Sequence, residues 1–259
     1  MKKLLTICLC LLTHLPQPQA FETPSEVTFD WLMNVGDSDG GSDHVICMKE
    51  IFQTLKPRSL LEFGLGYSTK YFLDSCKRVV SVEVITHGYG PNRLQNFIRF
   101  YRDYSNWIPI AYFSGFQGDM SWAPYKYLGS DAVYIAGSYQ CATHQHYKPI
   151  DDFYIKELGE FVSNLVKFNK IEVALIHPTL FLRGDIVESC FRSIPVVVAH
   201  NTACRQTGEG VDGFGFKRIV TPPEYEEIYV PTPNGTTVWI IKKPEYQILI
   251  DKIKQLKVQ

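Results

Sequence analysis

From residue 58 onward, short apolar runs alternate with segments in which apolar residues recur at helical spacing. The short runs predict buried strands, and the i, i+3, i+4 segments predict helices between them. Strands are predicted at 59–63, 79–84, 132–136, 172–176, 195–199, 226–230 and 237–241. Helices are predicted at about 42–55, 69–75, 92–104, 153–168, 184–192 and from 245 onward. This alternation indicates an α/β fold with helices on both faces of a mostly parallel sheet.

The last two strands flank Pro233-Asn234-Gly235, and Asn-Gly between β-rich runs is a strong hairpin signal. We therefore predict a three-layer sandwich whose seven-stranded, mostly parallel sheet ends in a C-terminal antiparallel hairpin. The Gly-rich, polar run 204–217 predicts a loop before this hairpin. Ligands of such sheets bind beyond the carboxyl ends of the strands, near the switch point beside the first strand.

Residues 1–20 have the plan of a secretory signal peptide: a basic start at Lys2 and Lys3, an apolar stretch, and a polar end at Ala20. The alternative is a buried N-terminal helix. We expect export to the periplasm or the exterior if the peptide is cleaved, and a cytoplasmic protein otherwise. The remaining chain divides into an N-terminal loop and helix, 21–57, and a main domain, 58–259.

Composition narrows the choice of partners. The chain has 259 residues with 26 Lys and Arg against 27 Asp and Glu, so its net charge is −1. That balance gives no electrostatic reason to expect a nucleic acid. Beyond residue 20 no apolar run approaches the length of a membrane span, so no stable membrane anchor is expected. Five cysteines remain after residue 20, and this odd number does not decide the compartment.

The residues after the first two strands carry the candidate chemistry. Glu62-Phe63-Gly64-Leu65-Gly66-Tyr67-Ser68-Thr69 follows the first strand, and Glu83 closes the second, 21 positions after Glu62. Glycines allow a tight turn close to a ligand, and Ser68 or Thr69 can cap the next helix. A carboxylate such as that of Glu83 can accept both hydroxyls of a ribose. The pattern predicts a nucleoside-binding pocket; the alternative is a simple turn and a solvated strand end.

The glycine loop, together with Val79-Val80-Ser81-Val82-Glu83, resembles class I S-adenosylmethionine-dependent methyltransferases, specifically a subgroup whose loop ends in Tyr-Ser-Thr. Residues 195–202 are similar to that subgroup's fifth strand, which commonly ends His-Asp-Thr. The resemblance covers about 58–243. It implies a Rossmann-like fold, S-adenosylmethionine as cofactor, and a small-molecule methyl acceptor.

The resemblance also implies roles for individual residues. Gly64 and Gly66 would let the loop pass beside the methionine portion of the cofactor, and Glu62 would hold the loop or the amino group through water. Glu83 would bind the ribose. The other residues expected to line the same pocket are Tyr67, Ser68 and Thr69.

The chain departs from the family where acids are expected. The fourth strand of that family usually ends Asp-Gly, but His177 and Pro178 stand there, and Asn201 replaces the fifth-strand acid. An alternative threading takes 132–136 as the fourth strand, with Asp119 as an adenine contact. That threading leaves one strand too many before the hairpin and again lacks the acid.

His177 and His200 are the candidate catalytic residues, because either can act as a base near neutral pH. The alternative for each is a hydrogen-bonded structural histidine. Arg183 can position an acidic acceptor or simply begin a helix in solvent. Cys141, His144 and His146 invite a metal interpretation, but no second cluster at zinc spacing follows, so no metal site is predicted.

Aromatic residues are concentrated in 101–127, which holds nine of them in a chain that is 14% aromatic. We predict an aromatic-rich insertion at about 105–130. It is either a lid over an acceptor pocket or a small apolar subdomain packed on the core.

Three functions remain open at this point. The first is a methyltransferase acting on a small molecule. The second is a secreted, non-catalytic binding protein that kept the fold, which the missing acids and the signal peptide favour. The third and weakest is an NAD-dependent oxidoreductase, because the dinucleotide fingerprint wants a third glycine where Thr69 stands.

Overall fold

A computed structural model of the chain describes residues 44–85, 91–113, 133–136, 152–178, 183–208 and 212–256. The predicted signal peptide and most of the loop before the first helix lie outside these residues. Export and the division at residue 20 therefore stay predictions.

The described residues form one sheet and helices on both of its faces. The strands are β1 Ser59–Phe63, β2 Arg78–Ile85, β3 Trp107–Phe113, β4 Val133–Ala136, β5 Val173–Ile176, β6 Val196–His200, β7 Tyr225–Val230 and β8 Thr236–Ile241. The α-helices are α1 Val45–Leu55, α2 Ser68–Ser75, α3 Pro91–Tyr101, α4 Asp152–Asn169, α5 Arg183–Cys190, α6 Ala203–Thr207 and α7 Gln247–Lys254. Short 3₁₀ turns occupy Phe216–Arg218 and Pro244–Tyr246.

The strand order is β4-β3-β2-β1-β5-β6-β8-β7. Strands β1 to β6 pair in parallel, whereas β8 pairs antiparallel with both β6 and β7. The predicted fold class is therefore confirmed: a mostly parallel α/β sheet that ends in an antiparallel hairpin. All seven predicted strands are present.

An eighth strand, β3, was missed by the sequence analysis. It occupies the start of the segment predicted as an insertion, and Pro109 lies inside it, which argues against a central strand because proline donates no ladder hydrogen bond. Among the described residues, β4 pairs with Ile110–Phe113 and Pro109 pairs with Ser81 of β2, so Pro109 lies at the start of the described β3–β4 pairing. Residues 114–132 of the predicted insertion lie outside the described residues.

The position of β5 decides between the two threadings of the family resemblance. β5 pairs directly with β1 on the side opposite β2, whereas β4 lies at the far edge beside β3. The threading that made 132–136 the fourth strand is therefore wrong. The switch point, where the chain turns from one half of the sheet to the other, lies between β1 and β5.

Two apolar cores enclose the sheet, one on each face. On the first face α1, α2, α3 and α7 pack against residues such as Leu60, Val79 and Val198. On the second face α4 and α5 pack against the alternate residues, such as Leu61, Val80 and Val197. The strands are buried on both sides, which is why their sequences are continuously apolar rather than alternating.

The sequence predicted a loop over the whole run 204–217, but both ends of this run belong to helical elements. It starts within α6 and ends within the 3₁₀ turn Phe216–Arg218, and 209–211 lie outside the described residues. Arg205 accounts for this order, because its guanidinium donates to the backbone oxygens of Phe216 and Ile219 and pairs with Glu227 at 2.7 Å. Charged hydrogen bonds of this kind fix a polar segment that contributes little apolar surface.

Candidate functional site

The turn after β1 is as tight as its glycines predict. Gly64 has φ +94°, a conformation that side chains rarely adopt, and its N–H donates to the carbonyl of Val82 at 2.8 Å. A Cβ on Gly64 would lie 2.4 Å from the carbonyl oxygen of His177 and 2.9 Å from Cα of Pro178. The turn is thus pressed against the chain that leaves β5, at the switch point of the sheet.

Glu83 lies at this turn, although it belongs to the next strand. Its side chain is buried, and Oε2 accepts a hydrogen bond from the backbone N–H of Leu65 at 3.0 Å. Leu65 is itself fully buried. The carboxylate of Glu83, two residues before the end of β2, is therefore directed at the glycine turn, and two motifs that lie apart in the chain meet at one sheet edge.

Glu62 is held inside the sheet layer. It lies opposite Ser81 in the β1–β2 register, and its Oε1 accepts from the Ser81 hydroxyl at 2.5 Å. That hydroxyl in turn accepts from Nε1 of Trp107 at 2.8 Å. This buried chain of polar groups crosses three strands beneath the turn. The predicted contact of Glu62 with a cofactor amino group stays a prediction.

The three residues that follow the second glycine differ in what they do. Thr69 is fully buried, and its hydroxyl accepts from the N–H of Gly66 at 3.0 Å, which closes the turn. α2 begins at Ser68, and its N-cap is Tyr67, which makes no capping hydrogen bond through its side chain. The prediction that Ser68 or Thr69 occupies the N-cap is therefore wrong by one or two positions. Tyr67 and Ser68 remain partly exposed at the turn.

Three histidines meet at the carboxyl ends of β5 and β6. His44, His177 and His200 lie with ring centroids 4.8 to 5.6 Å apart. One nitrogen from each ring lies within 4.8 Å of the others, and in the part of the chain that the structure describes this is the one such histidine, cysteine or acid cluster. His44 and His200 are buried, whereas His177 is partly exposed.

The sheet register explains why these histidines meet. Ile176 of β5 pairs with Ala199 of β6, so the next residue on each strand, His177 and His200, stand side by side. Side chains alternate between the faces of a sheet, so both histidines point to the face opposite Ile176 and Ala199. α1 packs on that face, and His44 is the N-cap residue of α1.

Arg183 is neither a solvated helix start nor available to bind an acidic acceptor, the two roles that the sequence analysis considered. It is 4% exposed, and its Nε and Nη1 donate to the carbonyls of Pro178 and His200 at 2.6 and 3.0 Å. Its guanidinium also lies 4.1 Å from the ring centroid of Phe214. Burial lowers the pKa of Arg183 to about 9. Arg183 therefore fixes the ends of β5 and β6 relative to each other.

The end of β6 is fixed by the final hairpin. Asn201 has a left-handed φ of +64°, which asparagine tolerates better than most residues. The next residue, Thr202, donates its N–H to Gly235 and accepts a hydrogen bond from the hydroxyl of Thr237. The two positions where the family has acids, His177 and Asn201, thus lie on rigid strand ends.

Three of the aromatic residues of 101–127 belong to the core rather than to a lid. Tyr101, Trp107 and Tyr112 are buried, with Tyr101 edge-on to Trp107 and Tyr112 stacked on Phe161. Of the other six, Tyr104 is partly buried and Phe113 ends β3, whereas Phe116, Trp122, Tyr125 and Tyr127 lie outside the described residues, as do Cys141, His144 and His146. The lid prediction therefore stays open.

His44 is the site residue that the sequence analysis missed. No motif links it to His177 or His200, because the three are brought together only by the packing of α1 on the sheet. The one available signal was its position in the first turn of the helix predicted at about 42–55, which carries apolar residues at helical spacing.

No protein-family model matches the chain, and no curated protein matches it significantly in sequence. Among solved structures, the SAH-bound methyltransferase PaMTH1 of Podospora anserina is similar with a TM-score of 0.44 and 13% identity, over 93% of this chain and 95% of that chain. A Staphylococcus aureus protein assigned as a caffeoyl-CoA O-methyltransferase gives 0.47 and 11%, over 91% and 98%. A Corynebacterium glutamicum protein gives 0.44 and 7%, over 93% and 97%.

Two of these three structures are methyltransferases by description. At such low identities and TM-scores, roles for individual residues rest on the geometry of this chain alone. None of the helices in the described part of the chain has both the length and the apolar character of a membrane span.

Proposed function

We propose that this chain binds S-adenosylmethionine at the carboxyl edge of β1 and β2 and transfers its methyl group to a small-molecule acceptor. The observation that carries the proposal is the meeting of Glu83 with the glycine turn, through the hydrogen bond from Leu65 to the Glu83 carboxylate. A carboxylate near the carboxyl end of the second strand, next to a tight glycine turn at the switch point, is the arrangement that holds an adenosine ribose in nucleotide-binding sheets.

The residues present fit such a ligand. The turn carries no side chain at Gly64, where a Cβ would collide with the backbone of His177 and Pro178. α2 starts immediately after the turn and has no acid in its first turn, so the partial positive charge of its N-terminus favours a carboxylate such as that of the methionine portion. Glu83 offers a carboxylate to the ribose hydroxyls at the same edge.

The cofactor supplies a methyl group already activated on a sulfonium sulfur. The protein must then align the acceptor with that methyl group, exclude water and, for a hydroxyl acceptor, assist loss of a proton. The Gly64 turn and the histidine cluster are adjacent, because Gly64 packs on the backbone of His177. We place the acceptor against the ends of β5 and β6, where His177 is partly exposed. The predicted roles of His177 and His200 as general bases belong to this proposal.

Isothermal titration calorimetry with S-adenosylmethionine, its demethylated product and NAD tests the proposal. We expect the first two to bind, and Glu83→Gln to weaken both by about 1–3 kcal/mol, roughly five- to 150-fold in Kd. The matched control is Glu245→Gln, an exposed acid that follows β8 and lies at the opposite edge of the sheet. This control should leave both affinities unchanged.

Thermal unfolding of each variant without ligand separates a binding effect from a folding effect. The amide oxygen that Glu83→Gln introduces can still accept from the N–H of Leu65, so the unliganded variant should melt close to the unsubstituted chain. If the folded chain bound none of the three compounds, the proposal would be overturned and a non-catalytic binding protein would be favoured. Binding of NAD alone would favour the oxidoreductase.

A further inference from the structure

The histidine cluster has the properties of a metal site rather than of three stacked rings. The planes of neighbouring rings are tilted by 41°, 54° and 58°, so the rings are not stacked face to face. One nitrogen of each ring lies within 4.8 Å of a nitrogen of the other two. Zinc–imidazole bonds of about 2.0–2.1 Å place tetrahedral ligands roughly 3.3 Å apart. Small rotations of the rings, each moving a nitrogen by about 1 Å, are enough to reach this spacing.

The elements that carry the histidines are rigid, as a metal site requires. His177 donates its backbone N–H to Phe63 of β1 at 2.8 Å, and the backbone carbonyl of His200 is held by Arg183. The carbonyl of His44 accepts from the N–H of Met48 within α1. Each imidazole is therefore positioned by a strand end or a helix start, and none depends on a long loop among the described residues.

We infer that His44, His177 and His200 form a binding site for a transition-metal ion of the zinc type. Imidazole nitrogens suit Zn²⁺, Fe²⁺, Ni²⁺ and Cu²⁺, whereas Mg²⁺ and Ca²⁺ prefer oxygen ligands. Three protein ligands with one side accessible, here the side of His177, is the pattern of a metal site that keeps an open position. Resting on the proposed function, that open position serves to bind and polarise an oxygen of the methyl acceptor.

The inference changes the expected chemistry of the two predicted bases. A histidine that donates its lone pair to a metal ion cannot also accept a proton through that nitrogen. His177 and His200 would then activate the acceptor through the ion rather than by direct proton abstraction.

The test uses the full chain, without an affinity tag that contains histidine, after removal of metals with a chelator. Zn²⁺ is titrated against a chromophoric competitor, Co²⁺ is followed by its visible d–d absorption, and Mg²⁺ is titrated by calorimetry. We expect one Zn²⁺ per chain with a Kd below about 1 µM, and no competition from Mg²⁺. Cobalt bands of the intense, four-coordinate type are expected at the same stoichiometry.

Variants identify the ligands. His177→Ala is the primary variant because His177 is partly exposed, and it should weaken Zn²⁺ binding at least about 100-fold. His44→Ala and His200→Ala should do the same, with circular dichroism and thermal unfolding confirming that each is folded. The matched control is the double variant His144→Ala, His146→Ala, which removes the other histidine pair and should leave the affinity unchanged.

Three results would overturn the inference: no zinc bound at micromolar concentration, an affinity unchanged by His177→Ala, or an affinity lost in the His144, His146 double variant. The titrations are made without S-adenosylmethionine, and the cofactor titrations are made on metal-free protein. Zinc binding without cofactor binding would contradict only the proposed function. Cofactor binding without zinc binding would contradict only the metal site.

Discussion

Among substitutions at the candidate site, we expect Gly64→Ala to destabilise the fold most. Two separate penalties apply there. The φ of +94° is unfavourable for any residue with a Cβ, and the new Cβ would lie 2.4 Å from the oxygen and 2.7 Å from the carbon of the His177 carbonyl. Both contacts are with backbone, so no side chain can rotate to relieve them.

The size of the effect follows from these two terms. A left-handed conformation costs an L-residue roughly 1–2 kcal/mol. Insertion of a methyl group into a packed region costs typically about 1–3 kcal/mol more. We therefore expect Gly64→Ala to lower the free energy of unfolding by about 2–5 kcal/mol, a large part of the total for an ordinary domain.

Three other glycines separate the two terms. Gly208 has φ +72° with open space around it, so Gly208→Ala should show the conformational penalty alone. Gly184 lacks a left-handed φ, but a Cβ there would lie 2.4 Å from the carbonyl oxygen of Gly215, so Gly184→Ala should show the packing penalty alone. Gly159 lies within α4 with open space, and Gly159→Ala should stabilise by about 0.5–1 kcal/mol.

Urea unfolding followed by circular dichroism gives the free energy for each variant by linear extrapolation. We expect Gly64→Ala to lose the most free energy of unfolding, by an amount near the sum of the losses for Gly208→Ala and Gly184→Ala. If Gly64→Ala were no worse than Gly208→Ala, the turn would not be packed against the end of β5. The account of how the turn meets the histidine cluster would then be wrong.

Two further predictions concern ionisable groups away from the turn. The hydrogen bond from Lys252 of α7 lowers the pKa of Glu50 in α1 despite partial burial, so the contribution of ionised Glu50 to stability is complete above the ordinary pKa of 4.5 and is lost as the pH falls through the lowered pKa. Glu50→Gln should therefore lower the free energy of unfolding in urea at pH 7 by about 0.2–1 kcal/mol. A difference between the two proteins that persists below the lowered pKa would refute the assignment. Burial raises the pKa of both Cys47 and Cys76 to about 12. Iodoacetamide at pH 8 should therefore leave both thiols unmodified in the folded protein and alkylate both in urea, as measured by peptide mass spectrometry. Rapid labelling of the folded protein would contradict the burial of these thiols.

The part of the fold that was predictable is the part where local pattern and tertiary environment agree. The runs Val173–Ile176 and Val196–His200 are buried along their whole length, and their continuous apolar sequences indicated this. The hairpin of β7 and β8 was indicated by Asn234-Gly235, and Gly235 indeed has a left-handed φ of +74°.

The elements that were missed depend on neighbours that the local pattern does not reveal. β3 was predicted as the start of an insertion; Pro109 within it weakens a strand pattern, and its pairing with Ser81 of β2 and the strand pairing of Ile110–Phe113 with β4 appear only in the fold. Arg183 begins a helix, as many exposed arginines do, yet its donors are taken by carbonyls from two other segments.

The candidate site divides in the same way. Glu83 and the glycines could be proposed from spacing, because the glycines follow the first strand and Glu83 lies near the end of the second, and the ends of these strands meet at one edge. The histidine cluster could not, because His44 is brought to His177 and His200 only by the packing of α1 on the face toward which both strand ends point. Replacement of an expected acid by histidine suggested a loss of function, whereas the cluster suggests a different ligand chemistry.

The central claim is that Glu83 and the Gly64 turn hold an adenosine. A crystal structure of the chain grown with the demethylated cofactor product tests it most directly. We expect the Glu83 carboxylate within hydrogen-bond distance of both ribose hydroxyls and the methionine portion beside the turn at Gly64. Adenosine bound elsewhere, or a ribose that makes no contact with Glu83, would contradict the account.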